Sequence, residues 1–173
     1  PLDPEMAAWL HAELRAQGVA LHLGDPVAAF EPPQPGESAR ASVVVLKSGR
    51  RIPADTVVLG LGVRPETRLA QQAGIELGQR GGIRVNDQLQ TSDPRIWAVG
   101  DAVEVRDRVT GDWGIIPLAG PANRQGRIAA DNIFGRTASY EGTWGTAILR
   151  LFELTAGCTG ASEKTLRRAN LPF

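Results

Sequence analysis

A glycine and a carboxylate stand directly after an apolar segment near the middle of the chain. Residues 96–99, "IWAV", are apolar and strand-like, and Gly100 and Asp101 follow them. Glycine lacks the Cβ atom that would obstruct a ligand, and open α/β sheets bind ligands beyond the carboxyl ends of their strands. A carboxylate at that edge can accept two charge-assisted hydrogen bonds from the hydroxyl groups of a sugar or ribityl chain. The segment alone indicates equally well a ligand site or a turn that Asp101 caps.

A second candidate is the loop of small residues that leads into "PANRQGRIAADNIFG". This pattern predicts a helix that begins near Gly120 or Pro121. The free backbone N–H groups and the positive end of the helix dipole at such a terminus favour negative charge on a ligand. Asn123, Arg124 and Gln125 add hydrogen-bond donors in the first turn. An amphipathic helix without any ligand explains the same pattern.

The glycines of "VVLGLGVRP" are a weaker candidate. Gly60 and Gly62 follow an apolar strand, as the first two glycines of a G-x-G-x-x-G dinucleotide fingerprint do. The third glycine of that fingerprint lets the helix pack closely on the strand, and Pro65 occupies its position here. The sequence therefore favours a strand that leaves its domain through flexible glycines over a phosphate-binding turn.

Metal and nucleophile chemistry have little support. His11 and His22 lie eleven residues apart with no cysteine or H-E-x-x-H pattern nearby, which disfavours a zinc site. Cys158 is the only cysteine and has no adjacent histidine, so we expect it to be a small buried hydrophobic residue rather than a nucleophile. A single cysteine cannot form an intrachain disulfide, so a reducing compartment fits at least as well as secretion, and we expect a cytoplasmic location.

The composition excludes some partners. Nineteen lysines and arginines balance nineteen acidic residues among the 173 positions, so no net charge attracts nucleic acid or an anionic membrane. No apolar run reaches the roughly 18 residues that a membrane-spanning helix needs. The chain starts at "PLDPEM" without an initiator methionine and stops soon after a helical pattern, so we expect it to be a segment of a longer protein.

The elements of the first part alternate between one helix and several strands. Asp3 as N-cap and apolar residues at every fourth position predict a helix that ends at Gly18. Strands are predicted at residues 19–23 and 26–32, followed by a solvated hairpin connection at 31–40. The next segment predicts a β-arm, an "SGR" turn, a short return strand and then "TVVLGL", an apolar strand covered on both faces.

The sequence suggests a domain boundary near residues 63–66, where the continuous apolar strand pattern gives way to a short helical pattern and loops. The pattern predicts a short helix closed by Gly74, then loop, strand, turn and strand up to Asp101, and a β-excursion around Gly111. The helix with Pro121 near its start ends at Gly135, and residues 146–160 are strand-rich. Ser162 is the expected N-cap of a last helix. The whole pattern indicates an α/β fold with β-rich arms.

Four segments appear in the order found in one known family. They are "ADTVVLGLGVRPET", "GGIRVNDQLQTSDPRIWAVGDAVEV", "PLAGPANRQGRIAADNIFG" and "GTAILRLFELTAGCTGASEKTL". The chain resembles the FAD-dependent pyridine nucleotide-disulfide oxidoreductases over nearly all of its length. The pattern T-S-x-P-x-I-W-A-V-G-D is specific to the superfamily. "PLAGPANRQGR" narrows the resemblance to the branch that contains coenzyme A disulfide reductases, NADH oxidases and NADH-dependent persulfide reductases.

The resemblance implies parts of two doubly wound nucleotide-binding domains and the beginning of an α+β dimerisation domain. Residues 1–62 would be the later part of the NAD(P)-binding domain, and residues 63–140 the returning part of the FAD-binding domain. Residues 141–173 would start the dimerisation domain of a homodimer. The implied cofactors are FAD and NAD(P)H, with no nucleic-acid or membrane partner.

The resemblance also implies which residues contact the cofactors. Asp101 matches the aspartate that hydrogen-bonds the ribityl chain of FAD, delivered by a strand that runs from Thr91 to Gly100. The residues at the start of the following helix match positions beside the flavin, where the helix terminus would stabilise charge on the reduced ring. Gly62 matches a glycine that approaches the nicotinamide nucleotide. The cofactor-binding candidates are Thr91, Gly100, Asp101, Leu118, Ala119, Asn123 and Gly62.

The function that the resemblance implies is electron transfer from NAD(P)H through FAD to a disulfide, a persulfide or dioxygen. The family's glycine-rich FAD turn, redox-active cysteine and glycine-rich NAD(P) turn precede the matched segments, and Cys158 does not match that cysteine. We therefore expect no catalytic residue in this segment and no activity from it alone. The alternative from another class is a non-catalytic interaction or dimerisation module that binds no cofactor by itself.

Overall fold

The computed structural model describes residues 2–35 and 42–173 of the chain. They form two compact units. One lies between His11 and Gly62, and the other joins residues 2–10 to Val63–Phe173. The first helix, α1, spans Pro4–Ala16, and Gly18 with a positive φ of 78° follows it, as the sequence predicts. The Asp3 carbonyl accepts the first helical hydrogen bond from Ala7, so Asp3 is the N-cap.

An antiparallel sheet of three strands makes up the unit between His11 and Gly62. Its order is β1 (Val27–Glu31), β2 (Ser42–Leu46) and β3 (Arg51–Ala54), with β2 in the middle. Val43 and Leu46 of the central strand are its buried residues. The predicted β-arm, turn and return strand are confirmed. Residues 36–40, half of the predicted hairpin connection at 31–40, lie outside the described residues.

Two predicted strands of this unit are wrong. Residues 19–23 are loop, so His22 does not lie on a strand. Residues 56–61 have no regular secondary structure and pair with no strand in the described part of the chain, and they are not buried: Val58 is 88% and Leu61 85% exposed. β-Propensity stabilises a strand only through neighbouring strands that pair with its backbone and pack on its faces. The apolar composition of residues 56–61 favours a strand, but no strand among the described residues pairs with them.

The other unit is built around a mixed sheet. Strand β4 (Ile83–Arg84) pairs in parallel with β5 (Val103–Arg106), and β5 pairs antiparallel with β6 (Trp113–Ile115) across the predicted turn at Gly111. A short helix, α2 (Arg68–Gln72), precedes the sheet, and the long helix α3 (Ala119–Ile133) follows it. The core joins the sheet to α3 and to the segment after α3. Its buried residues are Val85, Leu89, Val103, Val105, Ile128, Ala129 and Tyr140.

The strand predicted to deliver Asp101 is not formed. Residues 91–99 are turn and irregular backbone, with one bridge between Gln90 and Trp97 as their only strand-like pairing in the part of the chain that the structure describes. The Thr91 hydroxyl donates to the carbonyl of Asp93 at 3.1 Å and closes a tight turn. The N–H groups of Thr91 and Ile96 bond within this turn, and that of Ala98 donates to the carbonyl of Leu89. No strand among the described residues forms a ladder with this segment.

A buried carboxylate holds the loop before β4. Glu104 in the middle of β5 is 0% exposed, and its Oε1 accepts a hydrogen bond of 2.7 Å from the backbone N–H of Arg80. Its Oε2 is buried without a partner among the described residues. A Cβ atom on Gly78 would lie 1.3 Å from that oxygen. Position 78 must therefore be glycine for Glu104 to remain where it is.

The last elements are a hairpin and a helix. Strands β7 (Ala147–Leu151) and β8 (Leu154–Cys158) pair antiparallel, and α4 (Glu163–Arg168) follows. The Ser162 hydroxyl accepts from the N–H of Thr165, which confirms it as the N-cap. The carboxylate of Asp3 also bonds this terminus, because it accepts from the N–H of Glu163 at 2.8 Å. Cys158 is half-buried, less enclosed than the sequence suggested.

Replacing Gly78 with alanine should destabilise the full-length protein by about 2–3 kcal/mol, because the new methyl group displaces the Glu104 carboxyl from a closed site. Urea unfolding followed by tryptophan fluorescence measures this. Gly114→Ala in β6 is the matched control, since its Cβ would only touch Ile116 at 4.0 Å. Equal unfolding midpoints for the two variants would contradict the role given to Gly78.

Ser48 should control the ionisation of Asp25. Its hydroxyl donates to the Asp25 carboxylate at 2.6 Å and its backbone N–H at 2.9 Å, and these bonds hold the pKa of Asp25 below its ordinary value of 3.8. A depressed carboxyl pKa stabilises the folded state above about pH 4, and this stabilisation is lost as the pH falls through the lowered pKa. NMR titration of Ser48→Ala should show a higher pKa for Asp25. The pKa of Asp93, which Arg95 lowers, should stay unchanged as an internal control.

Candidate functional site

An open cleft lies between the turn at Gly100 and one face of α3. It has a volume of about 810 Å³ and is lined on one side by residues 99–101. Val99 is extended, and Gly100 turns the backbone with a φ of +83°, a conformation that favours glycine. Asp101 follows within a single 3₁₀ turn, Gly100–Ala102, that leads directly into β5. The chain thus presents Asp101 just before the most buried strand of the unit begins.

The carboxylate of Asp101 is free to bind a ligand. Asp101 is exposed and lines the cleft. Within residues 2–35 and 42–173, no group forms a hydrogen bond or an ion pair with it. The turn-cap alternative required the carboxylate to bond the adjacent backbone, and it forms no such bond. A carboxylate that is open to a cleft and has no protein partner can accept hydrogen bonds from hydroxyl groups.

The N-terminus of α3 forms the facing wall. Leu118 is the N-cap, with an extended backbone and no side-chain capping bond. Pro121 has no N–H, and Ala122 donates to the carbonyl of Leu118 at 3.1 Å. The N–H groups of Ala119 and Gly120 therefore have no acceptor among the described residues. They leave positive partial charge at this end of the helix, as the sequence predicts.

The α3 side of the cleft carries mostly small side chains, so a ligand can approach the helix backbone closely. Ala119, Ala122, Gly126 and Ala130 line it and present at most a methyl group. Their spacing places them along one face of the helix. A flat ligand could lie close to the helix backbone along this face.

Two polar residues of α3 also line the cleft. Asn123 donates its amide N–H back to the carbonyl of Ala119 at 2.9 Å, so one of its donors is used within the helix. Arg127 is exposed, and its guanidinium has no carboxylate partner in the described ranges. Arg127 was not among the residues predicted from the sequence. It follows Asn123 by four residues, and this spacing, which puts both side chains on one helix face, is the sequence signal that identifies it.

Gln125 is not the exposed donor that the sequence suggested. Its side chain is only 2% exposed, and its Oε1 accepts a 2.7 Å hydrogen bond from the backbone N–H of Gly100. The spacing in the sequence indicates this burial, because Gln125 lies three and four residues before the core residues Ile128 and Ala129 and so shares their helix face. Gln125 therefore links the two walls of the cleft from the protein interior.

Four of the seven predicted cofactor-binding residues line the same cleft, and a fifth, the N-cap Leu118, lies next to it. Gly100, Asp101, Ala119 and Asn123 line one cleft, and Leu118 immediately precedes its helix wall. Thr91 is not among the lining residues. Its side chain is used in the turn with Asp93 and borders a separate depression beside Trp113.

Gly62 is the last residue of the other unit and is exposed, with a φ of +90°. No atom within 4 Å crowds the place that a Cβ would take there. Its φ, rather than close packing, is what favours glycine. Its role at a nicotinamide nucleotide stays a prediction.

No group of three or more histidines, cysteines or carboxylates among the described residues could hold a metal ion. No helix in the described ranges is both long and apolar enough to cross a membrane.

These features define a chain of mixed helices and strands with an open cleft between a glycine-aspartate turn and a helix N-terminus. Residues 1–126, more than half of the chain, match the family described as pyridine nucleotide-disulphide oxidoreductase. The chain belongs to this family. The fold class and the resemblance that the sequence indicated are confirmed.

Individual relatives agree with this assignment. The chain is 34% identical over 172 residues to an NADH oxidase of Methanocaldococcus jannaschii, covering 99% of the chain and 37% of the relative. The crystal structure of reduced Bacillus anthracis CoADR-RHD matches with a TM-score of 0.90 and 49% identity over 99% of the chain and 30% of that protein. An NAD-dependent persulfide reductase from A. fulgidus matches with a TM-score of 0.91 and 36% identity over 99% of the chain and 31% of that protein. The chain thus spans about a third of the length of these relatives.

Proposed function

We propose that this chain is part of an FAD-dependent oxidoreductase that passes electrons from NAD(P)H to a disulfide, a persulfide or dioxygen. The observation that carries the proposal is the free Asp101 carboxylate at a cleft whose facing wall is an uncapped helix N-terminus. The relatives support it, since they are named as an NADH oxidase and an NAD-dependent persulfide reductase. FAD, when bound, would supply a carrier that accepts two electrons as hydride and passes them on.

The residues of the cleft fit FAD. Its ribityl chain carries hydroxyl donors, and Asp101 is an acceptor without a protein partner. Its flat ring system needs a wall without large side chains, which the alanines and Gly126 of α3 provide. Negative charge on the reduced ring would be stabilised by the N–H groups of Ala119 and Gly120. All three features come from this chain and need no further assumption about its other parts.

The remaining site residues take supporting places in this proposal. Leu118 and Asn123 would contact the flavin beside the start of α3. Thr91 would support the Asp101 turn from the far end of residues 91–99. Gly62 would allow the nicotinamide nucleotide to approach the backbone.

The proposed domains follow the same assignment. Residues 1–62 would belong to the NAD(P)-binding domain, residues 63–140 to the FAD-binding domain, and residues 141–173 to the dimerisation domain. We assign no redox catalysis to a described residue, because Cys158 lies in strand β8 and does not line the cleft. The single cysteine is compatible with a cytoplasmic location, which we also propose.

A homodimer is part of the proposal, and one observation favours it. The hairpin of β7 and β8 exposes Ile148 (77%), Leu149 and Phe152. Ile148 and Leu149 are consecutive strand residues and point to opposite faces, so the surface of the hairpin is apolar on both sides. Contiguous exposed apolar surface marks interaction sites. The same surface supports the second candidate function, an interaction module that binds no cofactor by itself.

Flavin content separates the two functions. If the cleft is a flavin site, the full-length protein should purify yellow with FAD bound in stoichiometric amount. A colourless full-length dimer would favour the interaction module. Absorbance between 350 and 500 nm, about the range of flavin bands, together with size-exclusion chromatography, gives both readings on one sample.

Replacing Asp101 with alanine should weaken FAD retention by roughly tenfold to a hundredfold, because two charge-assisted hydrogen bonds are lost. Asp101→Asn keeps an acceptor oxygen but no charge, so its affinity for FAD should lie between those of Asp101→Ala and the unchanged protein. Asp131→Ala is the matched control, since Asp131 is an aspartate of α3 that pairs with Arg136 and does not line the cleft. Titration of the apoprotein with FAD gives the dissociation constants. If Asp101→Ala binds FAD as the unchanged protein does, Asp101 is not a ligand of the cofactor.

A further inference from the structure

Gln125 is a polar side chain in a place where the sequence pattern calls for an apolar one. It is the one polar member of the buried face of α3 in the described structure, together with Ile128 and Ala129. Burial of an amide is unfavourable unless its polar atoms are hydrogen-bonded. An apolar residue of similar size would fill the same space without that cost. The amide therefore needs a reason beyond packing.

The bond that Gln125 makes supplies the reason. Its Oε1 accepts from the N–H of Gly100 at 2.7 Å, across 25 residues of sequence. Among the described residues this is the only hydrogen bond that joins residues 99–102 to α3. Gly100 has a left-handed backbone, and the next residue is Asp101. The orientation of that turn relative to the helix is thus tied to a single side chain.

We propose that Gln125 is a positioning residue of the cofactor site. It holds the Gly100 turn so that the Asp101 carboxylate and the N-terminus of α3 contact the same flavin in one fixed geometry. Gln125 does not line the cleft, so it acts through Asp101 and not by contact with the ligand. This inference rests on the proposed function, because it assumes that FAD occupies the cleft.

A purely structural role predicts something different. If Gln125 only stabilised the fold, its loss would affect FAD in proportion to the loss of stability. Ile128→Ala then provides the matched control, since Ile128 is buried on the same face of α3 and is a core residue without a bond to Gly100. A positioning role predicts a change in the flavin that Ile128→Ala does not produce at an equal loss of thermal stability.

The test compares Gln125→Met and Ile128→Ala in the full-length protein. Methionine keeps the length of the side chain but is a poor acceptor. Gln125→Met should weaken FAD binding about fivefold to thirtyfold, as expected for one lost buried hydrogen bond. It should also shift the visible circular dichroism of the bound flavin and its midpoint potential, whereas Ile128→Ala should leave both unchanged. Equal flavin spectra and potentials in Gln125→Met and the unchanged protein would overturn the inference.

Two further variants make the test specific. Gln125→Glu keeps an acceptor oxygen in reach of Gly100 and should restore the flavin spectrum at least in part. The double variant Asp101→Ala/Gln125→Met should bind FAD no more weakly than Asp101→Ala alone, because Gln125 acts through Asp101. Fully additive losses of affinity would show that the two residues act independently and would contradict the proposal. If Gln125→Met does not fold, Gln125→Asn retains an amide that is one carbon too short and replaces it in every comparison.

The outcomes distinguish this inference from the proposed function. If the unchanged protein binds no FAD, the proposed function fails, and the inference fails with it. If the unchanged protein binds FAD and Asp101→Ala weakens it while Gln125→Met does not, only the role of Gln125 is refuted.

Discussion

The burial of strand β5 on both faces fixes where the candidate site stands. Val103 and Val105 pack into the core, and Glu104 between them is fully enclosed beside the loop at Gly78. Side chains alternate along a strand, so a shift by one residue would put the carboxylate in the apolar core and a valine where the backbone N–H of Arg80 bonds Glu104. β5 therefore has one possible register. Asp101 precedes it by two residues, so the register sets where the turn that carries Asp101 enters the strand.

The cleft itself arises because the same core holds α3 next to β5. Ile128 and Ala129 belong to the same buried cluster as Val103 and Val105. This packing sets the helix against the sheet, but it does not fix the turn between Val99 and Ala102, which has no ladder bonds of its own. The hydrogen bond from Gly100 to Gln125 fixes that turn. Apolar packing thus places the elements, and one polar contact places the turn that carries Asp101.

The sequence predicted elements that depend on local signals and failed where a strand depends on distant partners. Helix α3 and its end at Gly135, the hairpins and the Ser162 cap were found because caps, turns and periodicity act within a few residues. Residues 56–61 and 91–99 have strand composition, yet the described chain gives them no ladder to join. Apolar and β-branched composition favours a strand, but the strand forms only where neighbouring strands pair with its backbone and pack on its side chains.

Asp101 and Gln125 show why residue type alone could not assign the site. Both present an oxygen that accepts hydrogen bonds, whereas the sequence suggested Asp101 as a ligand acceptor and Gln125 as a hydrogen-bond donor. An exposed carboxylate without a protein partner remains stable because water solvates it, so Asp101 stays available until a ligand with hydroxyl groups replaces that water. A buried amide must have a protein partner, and Gln125 has used its oxygen on Gly100. Burial thus distinguishes the two oxygens: the exposed Asp101 oxygens can bond a ligand, whereas the buried Gln125 oxygen holds the turn at Gly100. In the proposed site, a hydroxyl-bearing ligand would be recognised only as well as Gln125 holds the turn that presents Asp101.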